Sequence, residues 1–207
     1  MRNADCGLRI ENEMKMIPDN LKYVILLLIV VLLSACVSAH HSGQPASNSE
    51  TPNISPDVLA NREHLTSLQN DLAALNSQLN IVEAGRVAQT AIYYSSYLAE
   101  EYELVRPAAL HNVLVRIGLK DRGLCYHWTV DLMKQLELLE LKSYQLYWGV
   151  AHRGSELREH NSVVVAARGQ RFEEGIVLDP WRNSGELFWT LVKNDHYPWQ
   201  ERPRNEW

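Results

Sequence analysis

A chain of 207 residues, 46% of them hydrophobic, is long enough for one domain of ordinary size with appendages and too apolar to be disordered or fibrous. The formal charge of -5 is mild, and no run of Lys and Arg is long enough to track a phosphate backbone, so nucleic acid is not an expected partner.

Tyr23 to Leu33 is an almost unbroken run of Val, Ile and Leu, preceded by Lys15 and Lys22 and followed by Ser34-Ala35-Cys36. Basic residues, about ten apolar residues and a small-residue exit are the parts of a secretory signal, whereas a stable membrane span wants roughly 20 apolar residues. A short transmembrane anchor is the competing reading. Leu33-Ser34-Ala35-Cys36 resembles the bacterial lipobox, in which the cysteine is acylated, as with palmitate, and becomes the mature N-terminus. Val37 stands where such lipoproteins carry the aspartate that retains them at the inner membrane, so the resemblance implies an outer-membrane anchor on Cys36 facing the periplasm of a Gram-negative cell. Residues 1–13 sit oddly before this signal, and Met14 or Met16 would be a more usual start.

Of three cysteines, Cys6 then precedes the mature protein and Cys36 is acylated, which leaves Cys125 without an internal disulfide partner. An unpaired thiol in an oxidising compartment calls for a reason. Burial in a core is the plain one; reactivity is the other.

Residues 37–55 are Ser, Asn, His, Pro, Gln and Thr with few large apolar side chains, the composition of a solvated tether that explains His40 and His41 as well. About 20 such residues hold a domain on the order of 25 Å from the membrane. Residues 56–104 read as helical. Ser55 and Pro56 suit a helix start, and Leu65, Leu68, Leu72, Leu75, Leu79 and Val82 recur at heptad spacing. Two and a half heptads leave open whether that seam docks onto the chain's own domain or supports self-association. Gly85 is the expected break, after which Val87, Ala88, Ala91, Ile92, Ser95, Leu98 and Ala99 trace a second face.

Residues 105–207 read as one further domain. Pro107 opens a short helix through Ile117, with Gly118 placed to end it. Cys125, behind Gly123, starts a helix carrying Trp128, Leu132, Leu136 and Leu139 to about Glu140. Lys142 to Val150 alternates as a strand, and His152 to Glu159 is a loop. Asn161 to Ala167 and Gly175 to Leu178 form an antiparallel hairpin whose second strand ends at Asp179-Pro180. A short helix is expected from Glu186 to Lys193, followed by a polar tail. Helices first and three antiparallel strands after them make an α+β fold.

A helix N-terminus favours a thiolate through its unpaired N–H groups and dipole. A base must then take the proton and be held in one tautomer by a third group. His160, at the beginning of one strand, and Asp179, at the end of its hairpin partner, emerge at the same end of the ladder and suit these roles. A cysteine on a helix start, then a histidine and an Asp-Pro aspartate on successive antiparallel strands, resembles the transglutaminase-like branch of the papain-type cysteine hydrolases over roughly Leu110 to Trp189. The resemblance implies a nucleophile-bearing helix packed on a small antiparallel sheet, with Cys125 as nucleophile, His160 as general base and acid, and Asp179 as orienting carboxylate. It also implies the Tyr126 N–H as first oxyanion donor, with Asn112 or His111 as candidates for the second.

No acidic loop of the calcium-binding type is visible, so hydrolysis of an amide in a protein or peptide is a better expectation than acyl transfer, with no cofactor and no metal. Competing readings are a zinc site from Cys125, His127, His152 and His160, and His127 as base, although two residues along a helix point it about 200° away from Cys125. No Gly-x-Ser-x-Gly elbow is present. Asp131 and Glu137 read as solvated, His111 and His196 as structural, and Trp181, Trp189 and Trp199 as either cleft or core. The rival function is a non-catalytic envelope lipoprotein that binds a protein partner or the cell wall.

Overall fold

A computed structural model describes residues 56–76, 80–155 and 157–207. The signal run, the lipobox with Cys36, the tether, Cys6 and Leu79 lie outside the described residues. Among the described residues four helices, α1 (Pro56–Ala74), α2 (Ile81–Glu101), α3 (Ala108–Arg116) and α4 (Cys125–Glu137), precede five strands, β1 (Tyr144–Ala151), β2 (His160–Ala167), β3 (Ile176–Asn183), β4 (Glu186–Leu191) and β5 (Trp199–Arg202). The sheet is antiparallel throughout in the order β4-β3-β2-β1-β5, and the fold is α+β.

Helices α1, α2 and α4 cover one face of this sheet. Leu68 and Leu72 of α1, Val87 and Ala91 of α2, and Leu132 and Leu136 of α4 meet Val163, Val165, Ile176 and Leu178 in the main core. A smaller core on the opposite face joins Val164, Val177, Phe172, Val192 and Trp199. Strand alternation produces this division, since successive side chains point to opposite faces. All eight residues of β2 are buried because β2 is the central strand with both faces covered.

The heptad seam does not run along one helix. α1 ends at Ala74, and Asn80 opens α2 by accepting the Val82 N–H at 2.8 Å. An Asn cap satisfies a helix start better than continuation does, and it places Val82 on the surface while Leu68 and Leu72 enter the chain's own core. Gly85 does not break a helix but lies inside α2, where a Cβ would meet the Gln69 side chain at 3.1 Å. α2 is tied to the sheet by Glu83, whose carboxylate accepts the N–H groups of Lys142 and Ser143 at 2.9 and 2.7 Å.

Three expectations for the C-terminal half are corrected. β3 passes through Pro180 to Asn183: the β2 ladder is left behind at Leu178, and the β4 register shifts between Asp179 and Asn183, so no ladder bond needs the missing N–H. Glu186 to Leu191 is β4 rather than a helix, with only a 3-10 turn at Val192–Asn194 after it. The reason is the Ser184-Gly185 turn between the paired residues Asn183 and Glu186. Its φ values of 58° and 96° are those of a two-residue hairpin, which fixes the following segment as a strand. Trp199–Arg202 adds an edge strand on β1, making five strands where three were expected.

Candidate active site

The thiol side is built on the start of α4. Leu124 is extended and has no side chain able to accept a hydrogen bond; instead His127 Nδ1 accepts the N–H groups of Gly123 and Leu124 at 3.1 and 3.2 Å. Trp128 Nε1 donates to the Gly123 carbonyl at 2.9 Å. His111, fully buried, accepts the Val105 N–H at Nδ1 (3.1 Å) and donates from Nε2 to the Arg122 carbonyl at 2.8 Å. Gly123 adopts φ 120°, and a Cβ there would lie 2.3 Å from His111 Nε2, so only glycine fits. Three side chains thus grip residues 122–124, and Trp128, Leu132 and Leu136, all 0% exposed, fix the helix behind them. Cys125 is the free cysteine among the described residues and is part-buried.

The histidine side is built on the sheet. β2 and β3 pair Val163 with Leu178, so extending the register sets His160 opposite residue 181 and makes Asp179 its diagonal neighbour on the same pleat face. His160 Nε2 and Asp179 Oδ2 are 2.6 Å apart, with side chains 4% and 0% exposed. With Nε2 engaged by Asp179, Nδ1 is the ring nitrogen left over, and Cys125 is near enough to act electrostatically on the ring. The thiol also lies 3.7 Å from the Glu159 carbonyl.

Asp179 is held by more than His160. Arg182 donates from its backbone N–H to Oδ1 at 3.2 Å and from Nε to Oδ2 at 3.1 Å. The far end of the same guanidinium forks onto Asp195 at 3.0 and 2.7 Å, and Trp199 Nε1 donates to Asp195 at 2.8 Å. Around the imidazole stand Trp181, Tyr197 and Trp199, with ring centroids at 4.9, 4.9 and 5.4 Å.

The electrostatics follow from these contacts. Burial alone pulls the His160 ring down, but the charge and hydrogen bond of Asp179, then the contact with Cys125, outweigh it and raise the ring to about 10. His127 goes the other way, to about 4, because burial and then the Arg122 charge both oppose a second proton. Asp195 falls to about 2: burial opposes its ionisation, and the hydrogen bonds from Arg182 and Trp199 overcome that.

The structure brings together Cys125, His160 and Asp179. Tyr126 is the second residue of α4, where a backbone N–H has no acceptor within the helix. Asn112 accepts the Trp181 indole N–H at 3.0 Å, which ties α3 to the aromatic wall beside His160. His127 faces the backbone of its own helix start rather than the thiol. Asp131 is not a solvated position: it takes the Tyr102 hydroxyl and the Arg122 guanidinium, each at 2.6 Å. Glu137 is exposed and pairs with Arg204 at 2.8 Å. His152 stands edge-on to Tyr197, and His196, largely exposed, stacks on it. Among the described residues no three His, Cys, Asp or Glu side chains gather as a metal site. Trp181 and Trp199 border the site, whereas Trp189 donates to Asp71 on the helix-covered side.

Arg182, Asp195 and Tyr197 escaped the sequence reading. An arginine three residues after Asp179 was a legible signal; Asp195 and Tyr197, in a polar tail, were not. No protein-family model, curated protein or solved structure matches the chain.

Proposed function

We propose that this chain is a cysteine hydrolase of transglutaminase-like type acting on an amide bond, carried by a lipid anchor on Cys36 at the periplasmic face of the outer membrane. One observation supports the enzyme reading above the others. A free thiol at a helix start, 3.7 Å from the Glu159 carbonyl, acts electrostatically on the adjoining buried His160, whose Nε2 meets a fully buried carboxylate at 2.6 Å. A merely structural cysteine would sit among aliphatic side chains and need no such partners. A binding-only protein would have no use for an ionic histidine–carboxylate pair taken out of water.

In the proposed reaction the Cys125 sulfur attacks the amide carbonyl carbon. A C–S bond forms, the carbonyl electron pair moves to oxygen, and the Tyr126 N–H at the head of α4 receives the oxyanion, with Asn112 as the candidate second donor. The oxyanion collapses, the C–N bond breaks, and the amine leaves with the proton that His160 donates. Water then attacks the thioester while His160 takes its proton; the C–S bond breaks and releases a carboxylic acid and the thiolate. Asp179 holds the imidazole in register through both steps. A protein or peptide is the proposed substrate class.

The test is alkylation by iodoacetamide at pH 6, read at Cys125 by mass spectrometry of its peptide. Cys125 is expected to react much faster than an ordinary thiol, and equal rates in the wild type and the His160→Ala variant would sink the reading. Metabolic palmitate labelling tests the anchor separately: label lost in Cys36→Ser supports it, and a wild type that takes up no label overturns it.

A further inference from the structure

The hydrogen-bond chain does not stop at Asp179. It continues through Arg182 to Asp195, whose side chain is 1% exposed although it belongs to the segment leading into β5, far along the chain from His160. An arginine that needed only to neutralise Asp179 would not require a second buried carboxylate, and burying an unpaired Asp195 would be costly. The guanidinium is locked on every side: Nε on Asp179, both terminal nitrogens on Asp195, and its plane lying 4.0 Å from the Phe188 ring centroid and 4.8 Å from that of Tyr197. A planar fork bound at both ends has one orientation, which a lysine could not reproduce.

We propose that Arg182 and Asp195 are positioning residues for His160: Arg182 fixes the orientation of Asp179, and Asp195 restores the negative charge that Arg182 removes. The proposal rests on the Cys125–His160–Asp179 reading. Its basis is a charge balance within one connected network. Asp179 and Arg182 together are neutral, and a neutral pair would give the imidazole little reason to hold a proton. Asp195 returns the cluster to one net negative charge, so the imidazolium that donates to the leaving amine is held in the tetrahedral adduct, where the Cys125 sulfur is bonded to the carbonyl carbon and no longer carries a charge. The same anchor sets Tyr197 and Trp199 against the imidazole, since Asp195 accepts the Trp199 indole N–H and lies two residues before Tyr197.

The charged and titratable groups around His160 come from several elements. Asp179 and Arg182 belong to β3, Cys125 to α4, and Glu159, paired with Arg202 of β5, to the start of β2. Asp195, His196 and Tyr197 lie in the segment before β5, and His152 approaches through Tyr197 from the β1–β2 loop. Of these, Arg182 and Asp195 link directly to the His160–Asp179 hydrogen bond, and the largely exposed His196 touches the outer end of that chain, its Nδ1 3.1 Å from Asp195 Oδ1.

The experiment is a histidine NMR titration of the full-length chain, with the His160 resonance assigned by its loss in His160→Gln. In Asp195→Asn the cluster loses a negative charge, and the His160 midpoint is expected to fall by about one pH unit. In Arg182→Gln it loses a positive charge, and the midpoint is expected to rise by a similar amount. Asp195→Glu, which keeps the charge, is expected to restore the wild-type value. A purely structural role would not move the two midpoints in opposite directions. Each variant reports its sign alone, so misfolding of one leaves the other decisive. Midpoints that stay put, or move the same way in both, overturn the proposal while leaving the triad reading intact; a wild-type Cys125 that is no faster than an ordinary thiol at pH 6 removes the triad reading itself.

Discussion

Two histidines stand on either side of the α4 start, and they have opposite fates. His127 lies two residues from Cys125 in the chain, and His160 lies 35 residues on, yet it is His160 that meets the thiol. His127 Nδ1 accepts two backbone N–H groups, an arrangement that a protonated ring cannot make, and burial with the nearby Arg122 brings it to about 4. His160 Nε2 meets a carboxylate instead, and Asp179 raises it to about 10 against the pull of burial. Burial is shared in some measure by both; what faces the ring nitrogens differs, and that decides whether a histidine stays neutral or is held protonated.

Removing each ring in turn tests this contrast most severely. His160→Ala is expected to slow iodoacetamide alkylation of Cys125 at pH 6 by 10²-fold or more, the scale of a lost acid–base partner. His127→Ala is expected to slow it by no more than about threefold, through loosening of the turn. Equal losses would mean that the two sites are not distinct, and the comparison of purified variants by peptide mass spectrometry reads this directly.

The turn itself is the next target. In Gly123→Ala the new methyl carbon would start 2.3 Å from His111 Nε2 at a φ of 120°, so both the backbone and His111 must move. A loss on the order of 3 kcal/mol in chemical denaturation is expected, together with slower alkylation of Cys125, because the Arg122 carbonyl loses its donor. A change near zero would show that the grip on residues 122–124 does not set the position of the thiol.

The same contrast appears in stability against pH. Because His160 binds its proton more tightly folded than unfolded, its contribution is complete below the unfolded value of 6.5 and is lost as pH rises through about 10. Urea midpoints of the wild type are therefore expected to fall between pH 6.5 and 10 by an amount equivalent to a few kcal/mol. His160→Gln is expected to flatten that decline, and an unchanged slope would show that the ring does not carry the linked proton.

The placement of Cys125 at a helix start was legible in the sequence because its signals are local. Gly123 before an apolar-periodic run announced the helix start, and hairpin geometry put His160 and Asp179 at one end of a ladder without needing the residue-level register. The remainder depended on distant contacts. Leu187 and Leu191 have helical spacing, and only the Asn183-Ser184-Gly185 turn, which was there to be seen, marks that segment as a strand. Trp199–Arg202 has one buried apolar residue in four, so nothing in its pattern foretells pairing with β1. The leucine heptad misled because its spacing continued across the Asn80 cap, a local signal that outweighs a periodic one when the two conflict. Arg182 and Asp195 are 13 residues apart, and their pairing is a consequence of the β3–β4 hairpin returning the chain to the end of β3.

The smallest effect belongs to the quieter histidine. His127 is disfavoured as a cation in the folded state, so its contribution is complete above 6.5 and is lost as pH falls toward about 4. Because the ring keeps some exposure, the acid-side loss should amount to only about 1 kcal/mol once screening is allowed for. His127→Gln keeps an acceptor for the Gly123 and Leu124 N–H groups on a longer side chain, and is expected to cost about 1 kcal/mol at pH 7 through poorer geometry while flattening the decline between pH 6.5 and 4. The alkaline decline should remain, since His160 is untouched. Paired denaturation curves for His127→Gln and His160→Gln therefore separate the two rings by which limb each removes, and a variant that removed both limbs would show that the turn and the site titrate as one unit.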